Sequence, residues 1–270
     1  MDDLKGFCNN YESLVKLAML IERFSTDIGM ELGLGKCKVV NLVRGKYVKL
    51  GGVLLESGGL IAELEEDEIY KYLGVEELDG IKHEKMKENI WLAAKKKLRK
   101  ILESELNSRN IIQAVNECCL PIVSYSFGII NWNESDLKGM DVSIRKMLNM
   151  YKCLQLKSDI DRLYVPRGSG GRGLISIWDS FRATSSRIAH VIKNSDNELL
   201  KLCGSVDVKS VFSNIARAEK YEQELLPEWP ADLEYKSVLQ QAKVKARYMR
   251  ELMARRRFDT WCVLTNVRGK

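Results

Sequence analysis

The chain has 270 residues, 45% of them hydrophobic and 30% charged, and a formal net charge of +6. This composition excludes an intrinsically disordered chain and is typical of a protein with one large core or two smaller ones. No apolar run approaches the roughly 20 residues of a membrane-spanning helix, and no basic-then-apolar leader opens the chain. We therefore expect an intracellular protein of the nucleus or cytoplasm, not secreted and without a membrane partner.

The seven cysteines predict free thiols in a reducing compartment. They show no paired C-x-x-C spacing, and neither His83 nor His190 has a cysteine partner at zinc-finger spacing. The sequence thus gives no zinc site.

Residues 1–77 predict a small α+β domain. Asn9 and Asn10 can cap a helix that ends near Gly29, because its apolar residues recur at helical spacing. These residues are Leu14, Leu17, Ala18, Ile21, Phe24 and Ile28. The β-branched run from Val39 to Val43 and the stretches GGVLL and EIYKYLGV predict short strands, with SGG as a hairpin turn.

Residues 82–225 predict a helical domain, so the chain is mostly α overall. A basic amphipathic helix begins near Lys82, and an apolar helix over 111–130 forms the expected centre of a bundle. Asn133 can cap a helix that ends at Tyr151, and further helices are predicted over 175–194 and 199–225.

Residues 231–270 predict a basic C-terminal helix, over 234–257, and a tail. The stretch PEWP separates them from the preceding helices. This helix carries seven Lys and Arg side chains and, on another face, an apolar stripe. The stripe consists of Val238, Ala242, Ala246, Met249 and Met253. Such a helix can bind nucleic acid, a calmodulin-like partner or an anionic membrane, and its residues alone do not choose among them.

The order of four N-terminal segments resembles the second half of a reverse transcriptase palm. MDDLKGF is similar to an x-Asp-Asp box with its returning strand, followed by a helix, by GMELGLGKCKVV and by YKYLGV, the primer grip hairpin. Farther on, INWNESDLKGMDVSIRKML and DIDRLYVPRGSGGRGLISI resemble the region after the palm in non-LTR, LINE-like retrotransposon polymerases. The resemblance is continuous from residue 1 to about residue 180.

This resemblance implies an RNA-directed DNA polymerase that uses two Mg²⁺ ions. Hard divalent cations take oxygen ligands, and two of them can activate a 3'-hydroxyl and stabilise the leaving pyrophosphate. By the resemblance, Asp2 and Asp3 are the metal-binding catalytic carboxylates, and Lys36 lies near the triphosphate. Tyr72, Leu73 and Gly74 match the primer grip. The alternative for Lys36 is an exposed lysine in a turn. The alternative for residues 72–74 is an ordinary buried strand.

The expected partners are an RNA template and a DNA primer duplex. By the resemblance, the basic helix lies in the thumb, where Lys95, Lys96, Lys97, Arg99 and Lys100 would contact phosphates. The glycine-rich stretch PRGSGGRG is bracketed by Arg162, Arg167 and Arg172, which could bind phosphate or RNA. Alternatively, the lysines only make one face of a bundle helix soluble. The arginines could instead cap helices or form ion pairs.

The family's upstream palm aspartate and fingers do not precede Met1, which stands at the x position of the motif. We therefore expect a fragment, from a truncated gene or a remnant, without polymerase or endonuclease activity of its own. A catalytically dead helical module that binds RNA or DNA is the alternative, and a protein-interaction module with no nucleic-acid role is a third.

Overall fold

The computed structural model describes residues 4–65, 68–78, 80–155, 157–207, 213–225 and 237–268. With 62% helix and 8% strand, it confirms the predicted α+β N-terminal part followed by a mainly helical remainder. The chain forms two compact units, one ending at Lys82 and one beginning at His83. Among the described residues, no helix combines the length and the apolar character needed to cross a bilayer.

The first unit holds one helix and several short strands. The helix is α1 (Tyr11–Asp27), and the strands are β1 (Lys38–Val39), β2 (Leu42–Val43), β3 (Lys46–Tyr47), β4 (Val53–Leu54), β5 (Leu60–Glu63), β6 (Tyr70–Tyr72), β7 (Val75–Leu78) and β8 (Gly80–Ile81). They form sheets of order β1-β5-β4, β2-β3 and β6-β7-β8, in which β1 pairs parallel with β5. Residues 4–8 are irregular, so the returning strand expected at LKGF is absent.

The helix α1 begins where the sequence predicts, because the Asn10 side chain accepts a hydrogen bond from the Ser13 amide at 2.8 Å. Ala18 packs with Val39, Val53 and neighbouring residues in a small core. The C-terminal end of the apolar stripe predicted on α1 is not buried, since Phe24 is 62% exposed. The first unit therefore buries only part of its apolar surface.

A glutamate carboxylate fixes the loop before β4. Glu63 accepts hydrogen bonds from the side chain of Asn41 at 2.9 Å and from the amides of Leu50 and Gly51 at 3.2 and 3.0 Å. The Asn41 bond is the main cause that lowers the pKa of Glu63. Only the ionised carboxylate offers all these acceptor positions, so the loop depends on the charge of Glu63.

We predict that this loop opens in acid. Because the pKa of Glu63 is lower in the folded chain, its stabilisation is complete above the unfolded value of about 4.3 and is lost as the pH falls through the folded value. Amide protection of Leu50 and Gly51, measured by hydrogen exchange, should fall below about pH 4. Glu63→Gln should lose protection at neutral pH, whereas the exposed control Glu31→Gln should not. Protection that is independent of pH in the unaltered chain would contradict this.

In the second unit, every regular element of the described residues is a helix. Its helices are α2 (His83–Leu102), α3 (Ser108–Ala114), α4 (Leu120–Ser124), α5 (Glu134–Met150), α6 (Ile160–Tyr164), α7 (Ile177–Asn194), α8 (Glu198–Asp207), α9 (Asn214–Leu225) and α10 (Val238–Arg268). A capping box of Asn133 and Asp136 begins α5, as the sequence predicts. The last helix runs eleven residues past the predicted end at Arg257.

The apolar helix predicted over 111–130 is shorter and irregular. A π-helical turn, Val115–Cys119, separates α3 from α4, and regular helix ends at Ser124. Pro121 lacks an amide hydrogen and its ring clashes with the carbonyl four residues before it. The wider π turn accommodates the proline without ending the helix. It also carries Asn116, whose side chain donates to the Gly173 carbonyl and accepts from the Ile175 amide at 2.8 and 2.9 Å.

The helix α7 is held at its start by a buried carboxylate of α5. Asp141 accepts hydrogen bonds from the Ser176 hydroxyl at 2.7 Å and from the Ile177 amide at 2.8 Å. Burial raises the pKa of Asp141, and the hydrogen bonds oppose that rise only in part. The carboxylate thus satisfies amides that the first helical turn leaves without partners.

A guanidinium group joins α10 to two other helices. Arg257 contacts Asp179 of α7 at 2.9 Å and Asp161 of α6 at 3.2 Å, and it lies 4.5 Å from the centre of the Tyr164 ring. Burial opposes the charge of Arg257, but the two carboxylates outweigh it and raise the pKa. Both acids would lose this counter-charge if the guanidinium were removed.

We predict that Arg257→Gln destabilises the second unit by about 2 kcal/mol, since it leaves the half-buried Asp161 carboxylate unpaired and Asp179 with Arg182 alone. Arg255→Gln, at an exposed position of the same helix, should change stability by less than about 0.5 kcal/mol. Urea unfolding followed by tryptophan fluorescence measures this, because all five tryptophans lie after residue 83. Equal stability of the two variants would show that the Arg257 contacts contribute nothing.

Candidate nucleic-acid interface

The basic residues of α2 lie on its solvent-facing side. Ala94 and Leu98 are 2% and 1% exposed and face the helices α4 and α5. Lys95, Lys96, Lys97, Arg99 and Lys100 are all exposed. The predicted amphipathic pattern is therefore realised, with every predicted cation available to solvent.

Three of these cations point directly away from the core. At 100° per residue, Lys96, Arg99 and Lys100 lie on the side opposite to Ala94 and Leu98. Lys95 and Lys97 flank the buried face. Lys95 lies over the Trp91 ring, with its Nζ 5.1 Å from the centroid. We call Lys96, Arg99 and Lys100 the outer triplet.

The outer triplet differs from the ion-paired cations of the second unit in having no counter-charge. Among the described residues, no carboxylate forms an ion pair or hydrogen bond with the triplet. Several other cations of the unit are ion-paired: Lys87 with Glu84 and Asp136, Lys138 with Glu134, Lys193 with Glu219, Lys245 with Glu222, and Arg182 with Asp179. The triplet places three positive charges without such partners within five residues of α2.

The packing beneath α2 leaves no room for a small ligand. The cavity between Trp91, Leu98 and the π-helical turn measures about 10 Å³ and is lined by apolar side chains. That volume holds at most one water molecule. Burial raises the pKa of the adjacent Cys119 thiol to about 12, so it is not a nucleophile at neutral pH. Any ligand of this region would therefore bind to the outer surface of α2.

The three arginines around the glycine-rich stretch contact the fold itself. Arg172 donates to the Ser108 hydroxyl at 3.0 Å and to the Cys153 carbonyl at 2.7 Å. Arg167 donates to the Arg109 carbonyl at 2.8 Å, and the Arg162 guanidinium lies 5.5 Å from the Trp261 ring centre. These contacts hold the loop against α3 and α10, and they use donors that a phosphate would otherwise require.

The first unit brings Lys36 and the expected primer grip into one region. The Tyr70 hydroxyl donates to the Lys36 carbonyl at 3.3 Å, while the Lys36 side chain is exposed. Tyr72 pairs with Val75 across a two-residue turn, so the predicted single strand EIYKYLGV is a hairpin. Leu73 and Gly74 form that turn. Lys5 lies 5.2 Å from the Tyr72 ring centre and pairs with Glu77.

The predicted metal site is not described. Asp2 and Asp3 lie outside the described residues. Within the described ranges, no group of three or more acidic, histidine or cysteine side chains could hold a metal ion. The described residues therefore do not supply a Mg²⁺ site, and no chemical step is assigned to that ion.

The basic helix α10 has its apolar stripe covered. Ala242, Ala246, Met249 and Met253 are each less than 5% exposed, in a helix that packs mainly on α7. Binding to a calmodulin-like partner or insertion into a membrane would need the same stripe. Either would require α10 to leave the bundle.

Sequence reasoning missed two features of the second unit. One is the pair of Arg187 on α7 and Arg250 on α10: burial lowers the pKa of Arg250, and the charge of Arg187 lowers it further. The other is the hydrogen-bonding role of Asn116, for which Pro121 five residues later was the available signal of an irregular turn. Comparison with known protein families finds no matching family, and no curated protein matches the chain.

Leu73 occupies a backbone conformation that leucine disfavours. Its φ is 47°, and Gly74 follows at 82°. The left-handed region costs an ordinary residue about 1–2 kcal/mol, and Asn-Gly is the favoured pair for such a turn. Strain of this kind at an exposed turn is often associated with function.

We predict that Leu73→Asn stabilises the β6–β7 hairpin by about 1 kcal/mol. Lys71→Asn, a strand position of the same hairpin, should destabilise it because asparagine disfavours strands. Hydrogen exchange of the β6 and β7 amides in urea measures both. A destabilising Leu73→Asn would show that contacts of the leucine outweigh its backbone strain.

Proposed function

We propose that the second unit binds the phosphate backbone of an RNA–DNA duplex through α2, as the thumb of a non-LTR retrotransposon reverse transcriptase. In this proposal the chain is the C-terminal palm and thumb part of such an enzyme. Its parent copies RNA into DNA with two Mg²⁺ ions, and the chain alone is inactive. The sequence resemblance supports the family, and the unpaired outer triplet supports the binding surface.

The observation that carries the proposal is the clustering of three exposed cations, without carboxylate partners in the described part of the chain, on one face of α2. A protein gains affinity for a duplex when its cations replace the condensed counterions of the phosphates. A lysine already paired with a carboxylate gains less, because the ion pair must first be broken. Lys96, Arg99 and Lys100 are exposed on a rigid helix and need no rearrangement.

A phosphate surface predicts little dependence on sequence and strong dependence on salt. Backbone contacts position a duplex but do not read its bases. Each phosphate contact adds about 0.9 to the negative slope of log affinity against log salt concentration. A protein-interaction module would not show this dependence.

We predict that Lys96→Gln, Arg99→Gln and Lys100→Gln together weaken binding of an RNA–DNA hybrid at least about tenfold at low salt and lower the slope by about 2–3. The matched control replaces Lys146, Lys220 and Arg255 with glutamine, which removes the same charge from other exposed positions of the second unit. Fluorescence anisotropy over a salt series measures both. Equal loss in the two variants would mean that net charge, and not α2, determines binding.

The catalytically dead binding module uses the same surface, so duplex binding does not separate it from the first proposal. The two proposals differ in the ancestry of the chain. The genomic sequence upstream of Met1 can distinguish them. An open frame encoding a Phe or Tyr before x-Asp-Asp and the rest of a palm favours the reverse transcriptase. Magnesium-dependent primer extension by the purified chain would contradict the inactivity stated here.

A further inference from the structure

The helices α7 and α10 pack antiparallel, and contacts near both ends fix their alignment. Asp179, early in α7, binds Arg257, late in α10, at 2.9 Å. His190, late in α7, lies 3.2 Å from Gln241, early in α10. Small buried residues, Ala183 of α7 and Ala246 of α10, lie between these contacts. The two backbones can therefore approach closely.

Two arginines project from the same side of this contact, at the same level along the helices. Arg187 lies eight residues after Asp179, and Arg250 lies seven residues before Arg257, so both stand about 10–12 Å along their helices from the Asp179–Arg257 pair. Ser186 and Lys245 contact Glu222 of α9 and thus mark the side that faces α9. By helical rotation, Arg187 and Arg250 lie on the other side.

Neither arginine has a carboxylate partner among the described residues. Arg250 donates to the Ala246 carbonyl of its own helix, at 3.3 Å, and both Arg187 and Arg250 are exposed residues. Burial lowers the pKa of Arg250, and the charge of Arg187 lowers it further. Of the acids on the same two helices, Glu251 pairs with Arg247 and Asp179 with Arg182 and Arg257, while Asp259 lies nine residues after Arg250, half a helical turn round from it. The pair is therefore an uncompensated double positive charge.

We propose that Arg187 and Arg250 form a binding site for a phosphate-type oxyanion. Two guanidinium groups on adjacent helices offer several N–H donors to one tetrahedral anion, and guanidinium forks match phosphate oxygens geometrically. An anion between them also removes the repulsion that the free protein carries. The site is separate from α2 and does not depend on the function proposed for that helix. Free phosphate and a phosphodiester share this chemistry.

Isothermal titration calorimetry of the full chain at low salt tests the site. The two probes are inorganic phosphate and a short single-stranded oligonucleotide. Arg187→Gln should weaken binding of the probe that occupies the site by about tenfold or more, as expected for loss of a charge-assisted hydrogen bond. Arg187→Lys should retain part of the affinity, because it keeps the charge and loses the fork. Arg255→Gln, on another face of α10, is the control.

A second readout is the thermal midpoint, measured without phosphate. Arg187→Gln should raise it, because the like-charge repulsion is removed, whereas phosphate should raise the midpoint of the unaltered chain more than that of the variant. Weakened binding of inorganic phosphate assigns the site to the free anion, and weakened binding of the oligonucleotide alone assigns it to a phosphodiester. Equal affinities in Arg187→Gln and Arg255→Gln, or no binding of either probe, would overturn the proposal. The outer triplet variant should leave phosphate binding unchanged.

Discussion

The buried carboxylate of Asp141 is the contact on which the second unit depends. It joins α5 to the first turn of α7 by accepting from Ser176 and from the amides that follow it. Once α7 is placed, Phe181 packs edge to face against Phe127, and Trp178 meets Tyr221 of α9. The helix α2 packs on α4 and α5, so its position follows from the same arrangement. A polar contact in the core thus fixes part of the surface on which α2 packs its apolar face.

Charges in the second unit fall into two classes with different physical roles. Lys87, Arg182 and Arg257 are largely buried cations, each held by carboxylates, and they join helices or turns. Exposed cations without partners contribute little to stability and instead create potential at the surface. The outer triplet belongs to the second class, as does the pair of Arg187 and Arg250. This division is what separates a structural basic residue from a candidate binding residue in a protein with many of both.

Local features of the fold could be predicted because their causes lie within a few residues. Asn10 and Asn133 begin helices, and the stripe from Ala242 to Met253 is buried, as their spacing indicates. Contacts between distant residues could not be predicted: Arg257 and Asp161 are 96 residues apart. For the same reason the sequence could not decide whether Arg162, Arg167 and Arg172 bind a ligand or the fold. The helix predicted over 111–130 was wrong at the π turn, Val115–Cys119, and beyond Ser124, where the apolar residues continue but regular helix ends.

The surface assigned to α2 is tested most directly by mapping where a duplex touches the chain. The purified protein would be cross-linked to an RNA–DNA hybrid at moderate salt, and the modified peptides identified by mass spectrometry. The account predicts cross-links concentrated in the segment 95–100, which high salt removes as expected for phosphate contacts. Cross-links confined to α10 or to the stretch 162–172, with none in α2, would contradict it.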